Sequence, residues 1–297
     1  MDKSNAPTIV AATEKYRGLI GKNLKDIDDL QEVYSWLKQH NSTLQEINYI
    51  NNGLIIKKNG KNSLNNYIFI EGDQELYDID LINLFMTNYS VALDNFILNN
   101  MISNTQREII MTFGKVIEKH FEDTDSHVRR ISDMMYRFAL LNNFSYSESE
   151  MLKIASTMHD IGKIAIPDAI LKKKDRLTTE EFEIIKTHAT IGYQILCESN
   201  LDILKRAAEI ALNHHEKWDG TGYPNGLKGR SIPLSARIMA IIDVFDAMTH
   251  KRCYKDAAPV SVAIAYLVEN KGRHFDPALV DIFVYNLEEV ISDIDMD

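Results

Sequence analysis

An apolar helical stripe ends in a His-Asp pair in the stretch LKIASTMHDIGK, residues 152–163. Leu152, Ala155 and His159 are three and four residues apart, so they share one face of a helix. An imidazole or a carboxylate on such a buried face costs several kcal/mol unless it is hydrogen-bonded or bound to a metal ion. The stretch therefore predicts a helix that carries His159 and Asp160 into the interior of a helical domain.

Further histidines follow at intervals of about one helix and its connection. Intervals of 32, 29, 26 and 28 residues separate His127, His159, His188, the pair His214-His215, and Asp243. A single histidine on an apolar stripe is typically a hydrogen-bonded core residue. Five histidines and two aspartates placed in this way instead predict helices that deliver ligands to a shared metal centre.

The ligand types indicate which ions and which chemistry to expect. Imidazole and carboxylate ligands without cysteine suit divalent Fe, Mn, Co, Ni or Zn. Seven ligands exceed one tetrahedral site, so we expect two or more ions, bridged by Asp160 and a water molecule. Two ions about 3.5–4 Å apart can hold both oxygens of an in-line phosphoryl displacement. The centre therefore predicts hydrolysis of a phosphate ester or diester.

A glycine-rich loop with the sequence HHEKWDGTGYPNG, residues 214–226, follows the paired histidines. Gly220 and Gly222 flank Thr221 and allow a close approach of the backbone to a ligand. Tyr223 lies in the loop rather than on a core stripe. Its ring is therefore either a platform for a nucleobase or an aromatic residue that packs the loop.

Together these motifs resemble the HD-GYP family, a branch of the HD phosphohydrolases that degrades the bacterial messenger cyclic di-GMP. The resemblance covers about residues 105 to 284 and rests on motifs in the family's order, namely HDIGK (159–163), HHE (214–216), DGTGYP (219–224) and DVFDA (243–247). It implies an all-helical catalytic domain with two or three divalent ions, most often Fe or Mn. The ligands it implies are His127, His159, Asp160, His188, His214, His215 and Asp243. In the three-ion variant a Glu lies four residues before the first His, where this chain has the shorter Asp123.

The resemblance also implies substrate contacts. Lys163 is expected to bind a scissile phosphate oxygen and to act with Asp160 in catalysis, while Arg252 and Lys255 hold phosphates. Taken alone, the three cations are equally consistent with surface positions. Tyr223 and the backbone of Gly222 are expected to contact a guanine. Asp246 is a further candidate for substrate contact, and either Asp246 or a metal-bound water is the candidate general acid. Cys253 stands where the family usually has Pro.

Residues 1 to about 100 predict a small α/β domain of the sensor or docking kind. A helix is expected over 29–40 and strands over 54–56 and 67–70, with a turn at Asn59-Gly60. Residues 89–95 resemble the end of a GAF-like sensor segment. From residue 80 to 120 the pattern stays helical and predicts a connector to the catalytic domain, 101–297. We expect this helix to pair with a second copy in a homodimer; the alternative is two helices that break near Asn99-Asn100 or Ser103-Asn104.

Composition limits the classes of partner. The 297 residues carry a formal net charge of −10, which disfavours a DNA or RNA duplex or an anionic membrane as the main partner. Two cysteines and no apolar run of membrane-spanning length make the cytoplasm the expected location. The motifs predict a mainly α, metal-dependent phosphodiesterase, and the resemblance implies that it opens cyclic di-GMP to pGpG, with GMP as a further product. The alternatives are a cyclic-dinucleotide receptor with little turnover and another phosphohydrolase, which acts on a hybrid cyclic dinucleotide or on a nucleoside triphosphate.

Overall fold

The computed structural model describes residues 8–9, 12, 14–40, 47–50, 53–59, 65–72, 78–121, 127–173, 175–250 and 257–292. The chain divides into two units, Met1–Ile102 and Ser103–Asp297. The mainly α fold class is confirmed, with a small three-stranded sheet confined to the first unit. Within the described ranges, no helix has both the length and the apolar character that a membrane crossing requires.

The N-terminal unit joins one helix to an antiparallel sheet. Short 3-10 turns at Glu14–Leu19, Leu24–Asp26 and Asp28–Leu30 precede α1 (Gln31–His40). The sheet has the order β1 (Ile47–Ile50), β2 (Gly53–Asn59) and β3 (Asn65–Glu71). Val33 and Leu37 of α1 belong to one buried cluster with Ile55 of β2. The predicted helix and both predicted strands are confirmed, strand β1 was not predicted, and Gly60 of the predicted turn lies outside the described residues.

One continuous helix, α2 (Ile79–Phe121), covers the predicted connector over 43 residues. The alternative of two helices with a break near residue 100 is therefore wrong. The helix contributes to a buried cluster in each unit. Met86 packs with Leu54 and Ile56 of the sheet, and Ile110 belongs to the core of the second unit.

The regular elements described in the second unit are helices, apart from an isolated β-bridge between Lys271 and Phe275. Its helices are α3 (His127–Leu141), α4 (Tyr146–Ala155), α5 (Asp168–Leu171), α6 (Thr179–Cys197), α7 (Asp202–Asn213), α8 (Leu234–Thr249), α9 (Val260–Glu269), α10 (Pro277–Tyr285) and α11 (Leu287–Val290). Capping boxes begin two of these helices, at Ser145 before α4 and at Thr178 before α6. Helix α8 is largely buried, with Ile238, Ile242 and Phe245 fully enclosed, and it packs against α3, α7 and α9.

Two glycines let helix α6 pack directly on the HDIGK segment. After α4 the chain continues as 3-10 turns at Ser156–Met158 and Ile161–Ala165. A Cβ atom at Gly162 would lie 1.9 Å from the carbonyl oxygen of His188 and 2.5 Å from the amide nitrogen of Gly192. Only glycine fits at position 162, and the close backbone contact sets His188 beside Asp160.

Candidate metal centre

The seven side chains predicted as ligands form two adjacent groups in the structure. One contains Asp160, His188, His214 and His215, and the other contains His127, His159 and Asp243. Within each group one candidate ligand atom per residue lies within 4.8 Å of the others. The residues come from α3, α6, α8, the end of α7 and the turn after α4, so distant parts of the chain converge at one place. We call these sets the tetrad and the triad.

Asp160 lies between the tetrad and the triad. Its Oδ1 is 3.3 Å from His188 Nε2 and 3.8 Å from His214 Nε2, while its Oδ2 is 3.3 Å from His159 Nε2. The two oxygens of this carboxylate therefore face different groups. That is the arrangement required of a ligand shared between two ions.

Backbone carbonyls orient three of the imidazoles. The hydrogen bonds run from His159 Nδ1 to Ser156 O at 2.9 Å, from His188 Nδ1 to Ile185 O at 2.7 Å, and from His214 Nδ1 to Ala211 O at 3.0 Å. Because a carbonyl only accepts, each Nδ1 carries a proton. Each Nε2 is thereby left as the ring atom that can bind a metal ion at the centre.

A carboxylate network, rather than a carbonyl, orients His127. His127 Nδ1 lies 2.5 Å from Asp246 Oδ2, and Arg130 donates to the same carboxylate at 2.6 and 2.9 Å. His250 Nδ1 is 3.1 Å from its Oδ1. Burial raises the pKa of Asp246, but hydrogen bonds from His127, His250 and Arg130 outweigh it and hold that pKa well below its usual range.

The predicted contact between Asp246 and substrate is therefore corrected by the structure. Asp246 is only 1% exposed, and both of its oxygens are engaged with neighbouring side chains. A group that remains ionised behind a ligand is a poor general acid. Asp246 lies three residues, about one helical turn, after Asp243 on α8, and at this depth it supports His127 instead of reaching the substrate.

The pKa values of the imidazoles in the tetrad shift in the opposite direction from that of His159 in the triad. Burial lowers the pKa of His188 and His215, and it lowers the pKa of His214 to about 3. Burial acts in the same direction on His159, but attraction by Asp160 and Asp243 outweighs it and raises the pKa of His159 to about 9. The histidines of the tetrad are thus neutral at physiological pH, whereas His159 holds a proton until an ion displaces it.

The donor set fits divalent metal ions. Among the described residues, His159 Nε2 and Asp160 Oδ1 are buried and have no hydrogen-bond partner. Leaving such atoms unsatisfied costs about 1–3 kcal/mol each. Ions held between the two groups would satisfy both atoms, and imidazole with carboxylate oxygen is a donor set that divalent transition metals bind well.

A cationic side chain lies next to the centre. Lys163 Nζ is 2.5 Å from Asp160 Oδ2, and it lines a cavity together with His127, His159 and Asp160. Burial raises the pKa of Asp160, but the charges of Lys163 and His159 hold it well below its usual range. The predicted residues Asp123, Arg252 and Lys255, like Cys253, lie outside the described residues.

The aromatic ring of the glycine-rich loop lies beside the tetrad. Tyr223 stacks on His215 with 4.8 Å between ring centroids, and Lys186 Nζ lies 5.6 Å from the centroid of the Tyr223 ring. A Cβ at Gly222 would come within 2.3 Å of the Lys217 amide nitrogen. The loop folds so tightly at Gly222 that a side chain would clash with its own backbone. Glycine is therefore required there for the fold of the loop as well as for a close approach to a ligand.

Glu216 is a functional candidate that the sequence analysis missed. Its side chain is 2% exposed, and its carboxylate accepts hydrogen bonds from the amides of Asn225 at 2.8 Å and Leu227 at 2.9 Å. It therefore fixes the loop that carries Tyr223. The available signal was a Glu directly after the paired histidines and before a loop whose amides need acceptors.

Comparisons with known proteins agree with this geometry. The family model of the HD domain matches residues 112–279, and a model described as a domain of unknown function (DUF3369) matches residues 1–102. The chain is 34% identical over 98% of its length to 3'3'-cGAMP-specific phosphodiesterase 2 of Vibrio cholerae, of which the match covers 56%. It is 43% identical over 63% of its length to a cyclic di-GMP phosphodiesterase of Thermotoga maritima, covering 50% of that protein.

A third relative is the cyclic di-GMP phosphodiesterase response regulator RpfG of Xanthomonas campestris. The identity is 41% over 61% of this chain and 48% of that protein. The chain thus spans about half the length of the curated relatives it matches. Because the HD domain model covers more than half of the chain, and its matched region contains all seven side chains of the two groups, the chain belongs to the HD domain family.

Proposed function

We propose that the chain is a metal-dependent phosphodiesterase that opens cyclic di-GMP to the linear dinucleotide pGpG, with cleavage to GMP as a second step. The observation that carries this proposal is the carboxylate of Asp160 between the tetrad and the triad. The relatives from Thermotoga and Xanthomonas, both named cyclic di-GMP phosphodiesterases, support the choice of substrate.

Two divalent ions, iron or manganese, would polarise the phosphodiester and lower the pKa of the attacking water. The tetrad and the triad would hold them, and Asp123 is the candidate for a third. Lys163 lies close enough to Asp160 to pair with a phosphate oxygen bound between the groups. Arg252 and Lys255 would hold the remaining phosphate charge.

The glycine-rich loop would position the base. Tyr223 is fixed against His215 on one side, so its ring stays beside the centre instead of rotating into solvent. Stacking of a nucleobase on an aromatic ring is worth about 1–3 kcal/mol. Glu216 would position Tyr223 by fixing the loop that carries it. The backbone at Gly222 would contact the guanine edge.

A hybrid cyclic dinucleotide is the second candidate substrate. The relative named for 3'3'-cGAMP aligns with 98% of this chain, whereas the two relatives named for cyclic di-GMP align with 61–63%. The longer alignment covers almost the whole chain and therefore includes the N-terminal unit. The difference in alignment length concerns sequence similarity over the whole chain. The candidate metal centre itself would accommodate either phosphodiester.

A substrate panel tests the proposal. The purified full chain is loaded with Fe(II) or Mn(II) and incubated with cyclic di-GMP, 3'3'-cGAMP, pGpG and a nucleoside triphosphate, with chelated protein as the control. We expect cyclic di-GMP to give pGpG with the highest kcat/KM. Faster cleavage of 3'3'-cGAMP would move the assignment to the hybrid substrate. Tight binding of either dinucleotide without product would identify a receptor instead.

The remaining features are proposals of the same kind. Residues 1–100 would form a sensor domain with GAF-like character ahead of the catalytic domain, 101–297. Helix α2 would join two copies of the chain in a homodimer. The cytoplasmic location stays a prediction from cysteine usage.

A further inference from the structure

The last two turns of α2 lie beside the triad. They contribute Gly114, Ile117 and Glu118 to the lining of the cavity next to the metal centre, which His127 and His159 line as well. Among the residues that line this cavity, the tetrad is represented only by the carboxylate that faces both groups. The end of α2 is therefore a neighbour of the triad.

Glu118 ties α2 to the start of α3. Its side chain is 8% exposed, and its Oε2 accepts a hydrogen bond from the Val128 amide at 3.0 Å. The amides of the first turn of a helix have no partner within that helix, so an acceptor from elsewhere fixes them. His127 is the first residue of α3 and Val128 is the second. The bond therefore fixes the backbone from which the His127 imidazole projects, while Asp246 orients the ring itself.

Gly114 brings the same helix against the turn that precedes His159. A Cβ atom at position 114 would lie 2.8 Å from the Thr157 carbonyl oxygen and 3.0 Å from the Thr157 Cβ. Glycine is required for this approach, because a side chain would push the turn away. Thr157 is buried and follows Ser156, whose carbonyl oxygen accepts from His159 Nδ1. A shift of the turn would therefore move the acceptor that orients the His159 ring.

The tetrad imidazoles stand on other elements. His188 belongs to α6 and His214 follows the end of α7, and carbonyl oxygens of those two helices orient both rings. The contacts of Glu118 and Gly114 end instead on α3 and on the turn after α4. The two α2 residues should therefore affect the triad more strongly than the tetrad.

We propose that Glu118 and Gly114 are positioning residues for the triad. Glu118 fixes the helix start that carries His127, and Gly114 lets α2 hold the turn that carries His159. Neither of them belongs to the tetrad or the triad, and both act through the backbone of a ligand. The inference rests on the two-ion centre of the proposed function and adds that the end of α2 holds one half of that centre in place.

Removal of the Glu118 carboxylate tests the first contact. The metal-free full chain is titrated with Mn(II) under electron paramagnetic resonance, and His127→Ala identifies which binding step belongs to the triad. We expect Glu118→Ala to weaken that step by about 10-fold, the lower end of the effect of losing a support behind a ligand, and to leave the other step unchanged. Glu118→Gln keeps an oxygen that can accept from the Val128 amide, so it should retain most of the affinity. Glu108→Ala, at an exposed position of the same helix, is the matched control and should bind as the parent chain does.

Three results would overturn the role of Glu118. They are unchanged binding in Glu118→Ala, equal weakening of both steps, and a Glu118→Gln protein no better than Glu118→Ala. Hydrogen exchange of the Val128 amide, followed by NMR on the metal-free chain, needs neither metal nor substrate. It should be faster in Glu118→Ala than in Glu118→Gln, and equal rates would overturn the contact itself.

Gly114→Ala tests the second contact in the same titration. The added methyl group displaces the turn of Thr157, so we expect the triad step to weaken, with a smaller loss in the other step because Asp160 directly follows His159. Lys115→Ala, at the exposed neighbouring position, is the control. A Gly114→Ala protein that binds both ions as the parent does would overturn the role of Gly114.

Hydrolysis of cyclic di-GMP is measured in parallel with ion binding. A parent chain that binds two ions but cleaves no cyclic dinucleotide refutes only the proposed function. An active parent chain whose Glu118→Ala variant binds both ions normally refutes only the positioning role.

Discussion

The tetrad and the triad are built from the same residue types but are held in different ways. In the tetrad, backbone carbonyls of the ligands' own helical turns orient His188 and His214. In the triad a carbonyl likewise orients His159, but His127 depends on Asp246, which lies 119 residues away in the sequence and is itself held by Arg130. The first kind of support comes with the helix, while the second requires α3 and α8 to be packed correctly.

This difference predicts unequal robustness. A substitution of a side chain cannot remove the carbonyl that orients a tetrad imidazole, but it can remove the carboxylate that orients His127. The pKa directions add to the contrast, because the tetrad histidines are neutral without metal and His159 is not. We therefore expect the tetrad to bind its ion more tightly and the triad to be the half that is easily disturbed.

Asp160→Ala should have the largest effect, since it removes the only side chain that faces both groups among the described residues. We expect loss of both ions and a fall in kcat/KM of at least about 10³-fold, because binding and activation of water disappear together. Metal content by mass spectrometry and hydrolysis of cyclic di-GMP measure this. Asp133→Ala, on the outer face of α3, is the control. Retained turnover would contradict the assignment of the centre.

Asp246→Asn should disturb the triad selectively. It removes the charge behind His127, and losing such a support typically costs about 10–100-fold in metal affinity. Titration of the metal-free protein with Mn(II), followed by electron paramagnetic resonance, should show one tight site retained and one weakened. Asp246→Glu should restore part of the affinity. Equal weakening of both sites would show that the two groups are not independently supported.

Gly162→Ala should disturb the tetrad through packing. The added methyl group meets the His188 carbonyl at 1.9 Å, so α6 must move away from the HDIGK segment. Overpacking of this kind costs about 1–3 kcal/mol of folding free energy. We expect a lower melting temperature and weaker binding at the tighter site. Gly192→Ala, whose Cβ would lie 3.2 Å from that of Ala211, should cost less; the reverse order would argue against the close contact.

The release of protons on metal binding should also distinguish the tetrad from the triad, and it is the smallest of the expected effects. His159, with a pKa of about 9, gives up its proton when an ion binds at about pH 8, whereas His214, with a pKa of about 3, has none to release. Filling both sites should therefore liberate about one proton near pH 8 and fewer above pH 9. Calorimetry in two buffers of different ionisation enthalpy measures the number. A release that does not change between pH 7 and 10 would contradict the raised pKa of His159.

The sequence predicted which side chains converge at the centre better than it predicted what holds them there. One or two ligands per helix follow from local periodicity, so His127 through Asp243 could be chosen without knowing how the helices pack. The roles of Asp246 and Glu216 depend on contacts with Arg130 and with the Asn225 amide, which no local pattern contains. The same limit applies to the sheet, where the four-residue strand β1 pairs with β2 but carries little pattern of its own.

The ammonium group of Lys163 has a consequence for the protein without its ions. It stands 2.5 Å from Asp160 and neutralises the carboxylate that faces both groups. A built-in counterion of this kind removes much of the repulsion that empty metal sites otherwise suffer. Chelators should therefore strip the centre while the helices remain folded, and the metal-free protein should bind divalent ions again when they are returned.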